Sequence, residues 1–291
     1  MIWSKRWFQY SILLFLAFIW GSSFILMKIG LKSFSSEQAA GIRIFLASLV
    51  LLPLSIIHLR SLRRKDVKYL MVAGFFGSLI PAFLFTKAQT RIDSALAGML
   101  NSLTPVFTLI VGLLFHQTKT RWMQVLGLIL GFVGALGLIA SGSNVSLQNV
   151  NSYAFFIVLA TSLYAININV VKTHLTHLKG VQITSLSFFF VGPVALGFLL
   201  VSDFGPVLQS PGWPYHFAAL AVLGIVGTAF AMLFMNSLIR YTSAVFASSV
   251  TYIIPVFAII WGIMDGETIT WIHLSFMAVV LTGVYLINRK H

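Results

Sequence analysis

Ten apolar runs of about twenty residues recur along this chain of 291 residues, and the segments between them are short. A helix rises about 1.5 Å per residue, so each run is long enough to cross the roughly 30 Å hydrocarbon core of a bilayer. Backbone groups in that layer have no water to bond, which leaves the α-helix as the solution for a run of this length. The expected spans are 10–31, 37–58, 67–88, 92–115, 122–141, 153–172, 181–201, 214–238, 243–264 and 271–288. Only 9% of the residues are charged, against roughly 25% in soluble domains, so most of the chain cannot face water. The fold class that follows is an all-α integral membrane protein with ten transmembrane helices. The N-terminal Lys5 and Arg6 ahead of an apolar run are similar to a secretion signal. The run continues to about residue 31 without a small-residue cleavage pattern, so a retained first span is expected.

The net charge of +13 would point to nucleic acid on a soluble protein. Here the basic residues fall in the short connections, so orientation in the bilayer explains them and no nucleic-acid partner is expected. With the N-terminus inside, fourteen Lys and Arg lie on the inner side, among them the cluster Arg60, Arg63, Arg64, Lys65 and Lys68, and four lie at outer ends. Both termini are therefore expected in the cytoplasm. The chain has no cysteine, which excludes disulfides, thiol catalysis and thiolate metal sites. No phosphate-binding loop, His-Glu-x-x-His or Gly-x-Ser-x-Gly is present. Neither a cofactor nor an enzymatic activity is expected.

The chain repeats itself. Pro105-Val106-Phe107 matches Pro255-Val256-Phe257, and Trp122 matches Trp271, at an offset of about 150 residues. "WGSSFILMK" from Trp20 to Lys28 parallels "YAININVVK" from Tyr164 to Lys172. Five spans per copy is an odd number, so the second copy enters from the opposite side. This predicts two inverted five-helix repeats, residues 1–146 and 147–291, with a binding site near the midplane where they meet.

The order of "WGSSF" in the first span, "GIRIFLA" in the second, the two Pro-Val-Phe helices and "GET" before the last span resembles the EamA family of the drug/metabolite transporter superfamily. The resemblance covers essentially the whole chain. It implies a secondary transporter of a bacterial inner membrane that exports or exchanges small metabolites, commonly amino acids, without nucleotide hydrolysis. The family often carries a Gly-Glu pair after the fourth span of each repeat. Gly266 and Glu267 keep it, whereas the first copy reads "FHQTKT", so a role that needs both acids is not expected.

Polar groups at mid-depth are the candidate substrate contacts. Trp20 and Ser23 share a helix face at i, i+3, and a Trp at that depth needs a partner or a wet cavity. Gly21 and the serines also suit close helix packing. Arg43 is the clear intramembrane charge, and such a residue is a functional candidate by default. Its planar fork suits a substrate carboxylate; the alternatives are loop carbonyls or an ion pair with Glu37 or Asp93. Pro105 and Pro255 remove a donor and free the carbonyls of Asn101 and Thr251, either as acceptors for a substrate amine or water or as a packing kink. Asn167 and Asn169 are two apart, so at most one faces a common cavity. The candidate substrate-binding set is Trp20, Ser23, Arg43, Asn101, Asn167, Thr251 and Tyr252.

Lys28 and its counterpart Lys172 fall near the two interfaces and are expected to snorkel. Gly127 and Gly131 form a close-packing motif, for use within the monomer or in a dimer. His174 and His177 have metal-like spacing, but no carboxylate lies near in sequence and no metal is expected. All six acids fall at or beyond span ends. This favours an exchanger driven by the substrate gradient, with proton antiport through Glu267 as the alternative. The expected function is export or exchange of small metabolites, amino acids or related amines, by alternating access, with the small-molecule substrate and the lipid bilayer as partners. The competing reading is a non-transporting membrane interaction or sensory protein.

Overall fold

A computed structural model describes residues 2–116, 122–141 and 152–288. Lys119, Arg121, Arg289, Lys290 and the expected boundary between residues 146 and 147 lie outside the described residues. The described chain is helical, with no strand. Its main helices are α1 (Arg6–Gly30), α2 (Ser36–Leu59), α3 (Arg64–Ala88), α4 (Ser94–Leu114), α5 (Trp122–Ser141), α6 (Ala154–His174), α7 (Gly180–Leu200), α8 (Trp213–Tyr241), α9 (Ala244–Met264) and α10 (Trp271–Asn288). Among the described residues, α1 to α9 are long and apolar enough to cross a membrane, and α10 holds a shorter apolar stretch, Trp271–Leu286.

Local chemistry sets several of these boundaries. Ser35 caps α2, its hydroxyl accepting from Gln38 N–H while the Gln38 side chain accepts from Ser35 N–H, which meets two donors that a helix start leaves open. Gly212 and Gly266 take positive φ, a conformation cheap only without a Cβ. They lie just before α8 and between α9 and α10. The helices bury Leu16, Met27, Ile44, Leu51, Leu70 and Met99 completely, while Leu14, Phe15, Phe18, Leu114, Leu200 and Trp271 stand exposed on the outer faces. An exposed apolar rim is what a bilayer covers.

Glycines let helices approach closely. A Cβ on Gly21 would lie 2.5 Å from Phe257 Cβ and 2.9 Å from the Ile254 carbonyl, so the "WGSS" glycine seats α1 on α9. The Gly127/Gly131 motif is used inside the chain: α10 docks there, and a Cβ on Gly283 would meet Gly127 O at 2.6 Å and Gly131 N at 2.7 Å.

Four helices depart from regular geometry near their middles. α3 contains a π-helical turn at Phe75–Leu79 and α8 one at Ile225–Phe230. Such turns insert an extra residue, loosen the i to i−4 ladder and recur at functional sites. α4 breaks after Asn101 and resumes at Thr104; α9 passes through a 3-10 turn at Ser249–Tyr252 and resumes at Ile254. Both breaks immediately precede the prolines, whose rings cannot fit behind an uninterrupted turn.

Candidate functional site

The irregular turns of α3, α4, α8 and α9 meet side chains from α1, α2 and α6 around a cavity of about 90 Å3. The smallest space that admits one water is about 10–15 Å3, so several waters or a small solute fit. Six of the seven expected contacts line it: Trp20, Ser23, Arg43, Asn101, Asn167 and Thr251. Tyr252 is not in the wall and packs instead against the main core. Thr251 and Tyr252 are neighbours in the 3-10 turn. Successive residues there point about 120° apart, so when Thr251 faces the cavity Tyr252 turns away.

The π turn of α8 organises one wall. Its Gly227 carbonyl accepts the indole N–H of Trp20 at 3.0 Å, which supplies the partner that a mid-depth tryptophan requires. Thr228 Oγ1 donates to the Leu223 carbonyl five residues back, at 3.0 Å, and accepts from Arg43 Nε at 2.7 Å. The expected alternatives for Arg43 do not form. Glu37 pairs with Lys87 at 3.3 Å, Asp93 belongs to a separate outer cluster, and Arg43 takes part in no ion pair among the described residues.

The π turn of α3 organises the opposite wall. Asn167 sits so close to Gly77 that a Cβ there would lie 2.5 Å from its amide nitrogen. Asn167 Oδ1 and the neighbouring Ser78 Oγ are buried and meet no hydrogen-bond partner. Ser23 lies over Gly227 in the same way, 3.0 Å from where a Cβ would stand, though its hydroxyl donates to Ile19 O. Asn169 turns from the cavity and donates to the carbonyls of Thr108 and Ala165.

The proline-freed carbonyls behave differently from the substrate-facing reading. Thr104 Oγ1 donates to Asn101 O at 2.9 Å, and Ser102 Oγ donates to Thr251 O at 3.2 Å. Protein hydroxyls meet both, and the second bond ties α4 to α9. The two breaks therefore meet in a joint between α4 and α9. Sequence reasoning also passed over Ser78, Thr228, Gln89 and Tyr164, which line the same space. A signal was present for three of them: Tyr164 is the repeat counterpart of Trp20. Gly77-Ser78 and Gly227-Thr228 are 150 residues apart, the offset of the two prolines.

Beyond the cavity, Lys28 does more than snorkel. Its ammonium lies 2.7 Å from Asp265 and 2.8 Å from Glu267. Glu267 is buried, and its two carboxylate oxygens accept Ser94 N–H and Ala95 N–H at 2.9 Å each. These are open donors at the start of α4, where the helix dipole favours an anion. One acid thus joins the end of α1, the start of α4 and the loop before α10. At the other end of the bundle Lys172 finds no such acid and donates to the carbonyls of Ile239 and Arg240 as α8 ends.

Burial raises the pKa of Asp93, the residue before α4, and the Glu267 charge raises it further; Lys28 and His273 act against this. An acid with a raised folded pKa costs stability when ionised. That cost is absent below its unfolded pKa and complete above the folded one. Asp93→Asn should therefore raise the thermal midpoint at pH 7 by a degree or two at most, a gain that disappears on titration into the carboxylate range; an equal gain at all pH values would contradict this.

The histidines close a polar patch between α3 and the turn after α6. His177 Nε2 lies 3.0 Å from Asp66 Oδ2, and His174 stacks on Tyr69 with centroids 4.0 Å apart. The sequence spacing concealed Asp66, which α3 brings up from more than a hundred residues away.

An inner membrane transporter of Escherichia coli K12, YedA, described as uncharacterized, is 28% identical over 275 residues, covering 93% of this chain and 87% of its own. An uncharacterized transporter of Archaeoglobus fulgidus is 26% identical over 274 residues, 93% of this chain and 95% of its own. A protein of Streptantibioticus cattleyicolor named "Probable terminal-alkyne amino-acid exporter" is 21% identical over 273 residues, 93% and 90% of the two chains. One solved crystal structure superposes with a TM-score of 0.66 over 98% of this chain and 97% of that chain at 16% identity, which speaks for the fold alone. The model of the EamA-like transporter family matches residues 7–140 and again 151–289. Two matches that together span nearly the whole chain of this multi-pass helical membrane protein make it a member of the EamA-like transporter family.

Proposed function

We propose that this protein is a secondary transporter that exports or exchanges small metabolites, amino acids or related amines, across the cell membrane by alternating access. The observation that carries the reading is the cavity near the middle of the helices, walled by helices that are irregular at that level. Irregular backbone inside a bilayer is tolerated where protein or a wet cavity receives it. Counting Trp271–Leu286 as the tenth span, the chain divides into two inverted five-helix repeats, 1–146 and 147–291. The 150-residue spacing of the π turns, and of the proline breaks, supports that division. Equivalent turns from two oppositely inserted halves supply a site that either side of the membrane can reach. The relative named as an amino-acid exporter supports the substrate class.

Flux is the direct test. Reconstituted vesicles loaded with unlabelled amino acids should take up the labelled solute by counterflow, and empty vesicles should not. Absence of exchange across amino acids, amines and a cell metabolite extract would remove the reading. Orientation has its own test, because the chain lacks cysteine. In intact cells an impermeant maleimide should label Thr90→Cys on the outer side and leave Ser61→Cys unlabelled; the reverse pattern would invert the topology.

A further inference from the structure

Arg43 is the one residue of the cavity wall that carries a fixed charge. Burying a cation without a counter-ion is expensive, and such a group is ordinarily paired. Among the described residues no acid pairs with it. Thr228 has already given its hydroxyl proton to the Leu223 carbonyl, so it can only accept, and it takes Arg43 Nε. That bond holds one edge of the guanidinium. The remaining donors meet no protein acceptor among the described residues, and none is sealed from the open space of the cavity. A planar pair of free N–H donors is the geometry that a carboxylate matches with two parallel bonds.

The facing wall also holds polar atoms without a partner, but these are closed off from the open space. Asn167 is 4% exposed and Ser78 5%, yet Asn167 Oδ1 and Ser78 Oγ find no partner. Both side chains line the cavity that contains Arg43. The aromatic rings of Trp20, Phe85 and Tyr164 and the side chains of Met232 and Met235 fill out an otherwise largely apolar surface.

We propose that this cavity selects its solute by an anionic group: the free edge of Arg43 takes a carboxylate. The assignment rests on the transport reading above and narrows it. An amino acid carries that group. A simple amine leaves Arg43 unpaired and brings a second positive charge beside it, in surroundings that screen charge poorly. The carboxylate is thus the entry requirement.

Matched chemical sets separate this from its alternatives. Purified protein in nanodiscs would be titrated with leucine, leucinamide, isoamylamine and N-acetylleucine, and with the corresponding phenylalanine, alanine and threonine sets, reading thermal midpoint and competition. The expected result is that every compound that binds retains its carboxylate, and that the amide and the amine of a binding acid are weaker by at least tenfold. Arg43→Gln should abolish the acid-over-amide difference. Arg43→Lys keeps the charge without the fork; it should weaken the acids yet leave them ahead of the amines, and it serves if the glutamine variant does not fold.

Binding of amides or amines on a par with the acids would overturn the proposal. So would an unchanged acid-over-amide ratio in both Arg43 variants, or binding of none of the carboxylates. Counterflow with a cell extract keeps the two layers apart. Exchange in that assay with no carboxylate preference would defeat the anion requirement and leave the transporter standing; no exchange at all would remove both.

Discussion

Glu267→Ala is expected to lower the unfolding free energy by about 2–4 kcal/mol, measured as a fall in denaturant midpoint and melting temperature in detergent or nanodiscs. Three donors lose an acceptor together. Ser94 N–H and Ala95 N–H each bond a separate oxygen of this carboxylate, and a cap lost at a helix start costs about 0.5–2 kcal/mol. A donor left unmet in a buried place costs about 1–3 kcal/mol. The third donor, Lys28, keeps Asp265 at 2.7 Å and is a third exposed, so its share is small. Glu267→Gln preserves shape but offers one acceptor where two are used, and should fall between wild type and alanine. A change under about 0.5 kcal/mol in the alanine variant would show that the cap contributes nothing.

Trp20→Ala is expected to reduce counterflow at least tenfold, equivalent to about 1.4 kcal/mol of lost binding. The ring forms part of the cavity wall, and its N–H satisfies the Gly227 carbonyl. Removing it enlarges the site and leaves that carbonyl unmet beside the turn that positions Thr228 and, through it, Arg43. Trp20→Phe separates the two contributions: it keeps ring surface and loses the N–H, so it should retain more exchange than alanine. Exchange at the wild-type rate by the alanine variant would place the solute elsewhere.

Six of the seven expected contacts converge on one cavity because depth within a span is legible from sequence. A residue ten places into a 20-residue run lies near its middle whatever the fold. Direction around the helix was less legible. The pair Thr251 and Tyr252 shows why: neighbours diverge by about 100° or more around any helix, and the packing decides which of the two faces inward. Lys28 shows a second limit. Its position near the end of α1 was correctly read, yet its partners are more than 230 residues away, and no local pattern announces a contact at that distance. The freed carbonyls of Asn101 and Thr251 show a third. The proline rule identified which acceptors would be released but not that hydroxyls at Thr104 and Ser102 would take them.

The sequence by itself determined the solvent of this protein, the placement of its long apolar helices to within a few residues, the repeat that pairs Pro105 with Pro255, and the family to which the chain belongs. Those features follow from run length, composition and internal spacing, all of which are properties of the chain in order. The tertiary structure decided which polar atoms are satisfied and which are not. It gave Trp20 the Gly227 carbonyl, Glu267 the start of α4 and Gly283 the glycine face of α5, and it left Arg43, Asn167 and Ser78 with unmet groups around one space. Satisfaction of a buried polar group depends on what another helix brings within about 3 Å, and only the packed arrangement sets that distance.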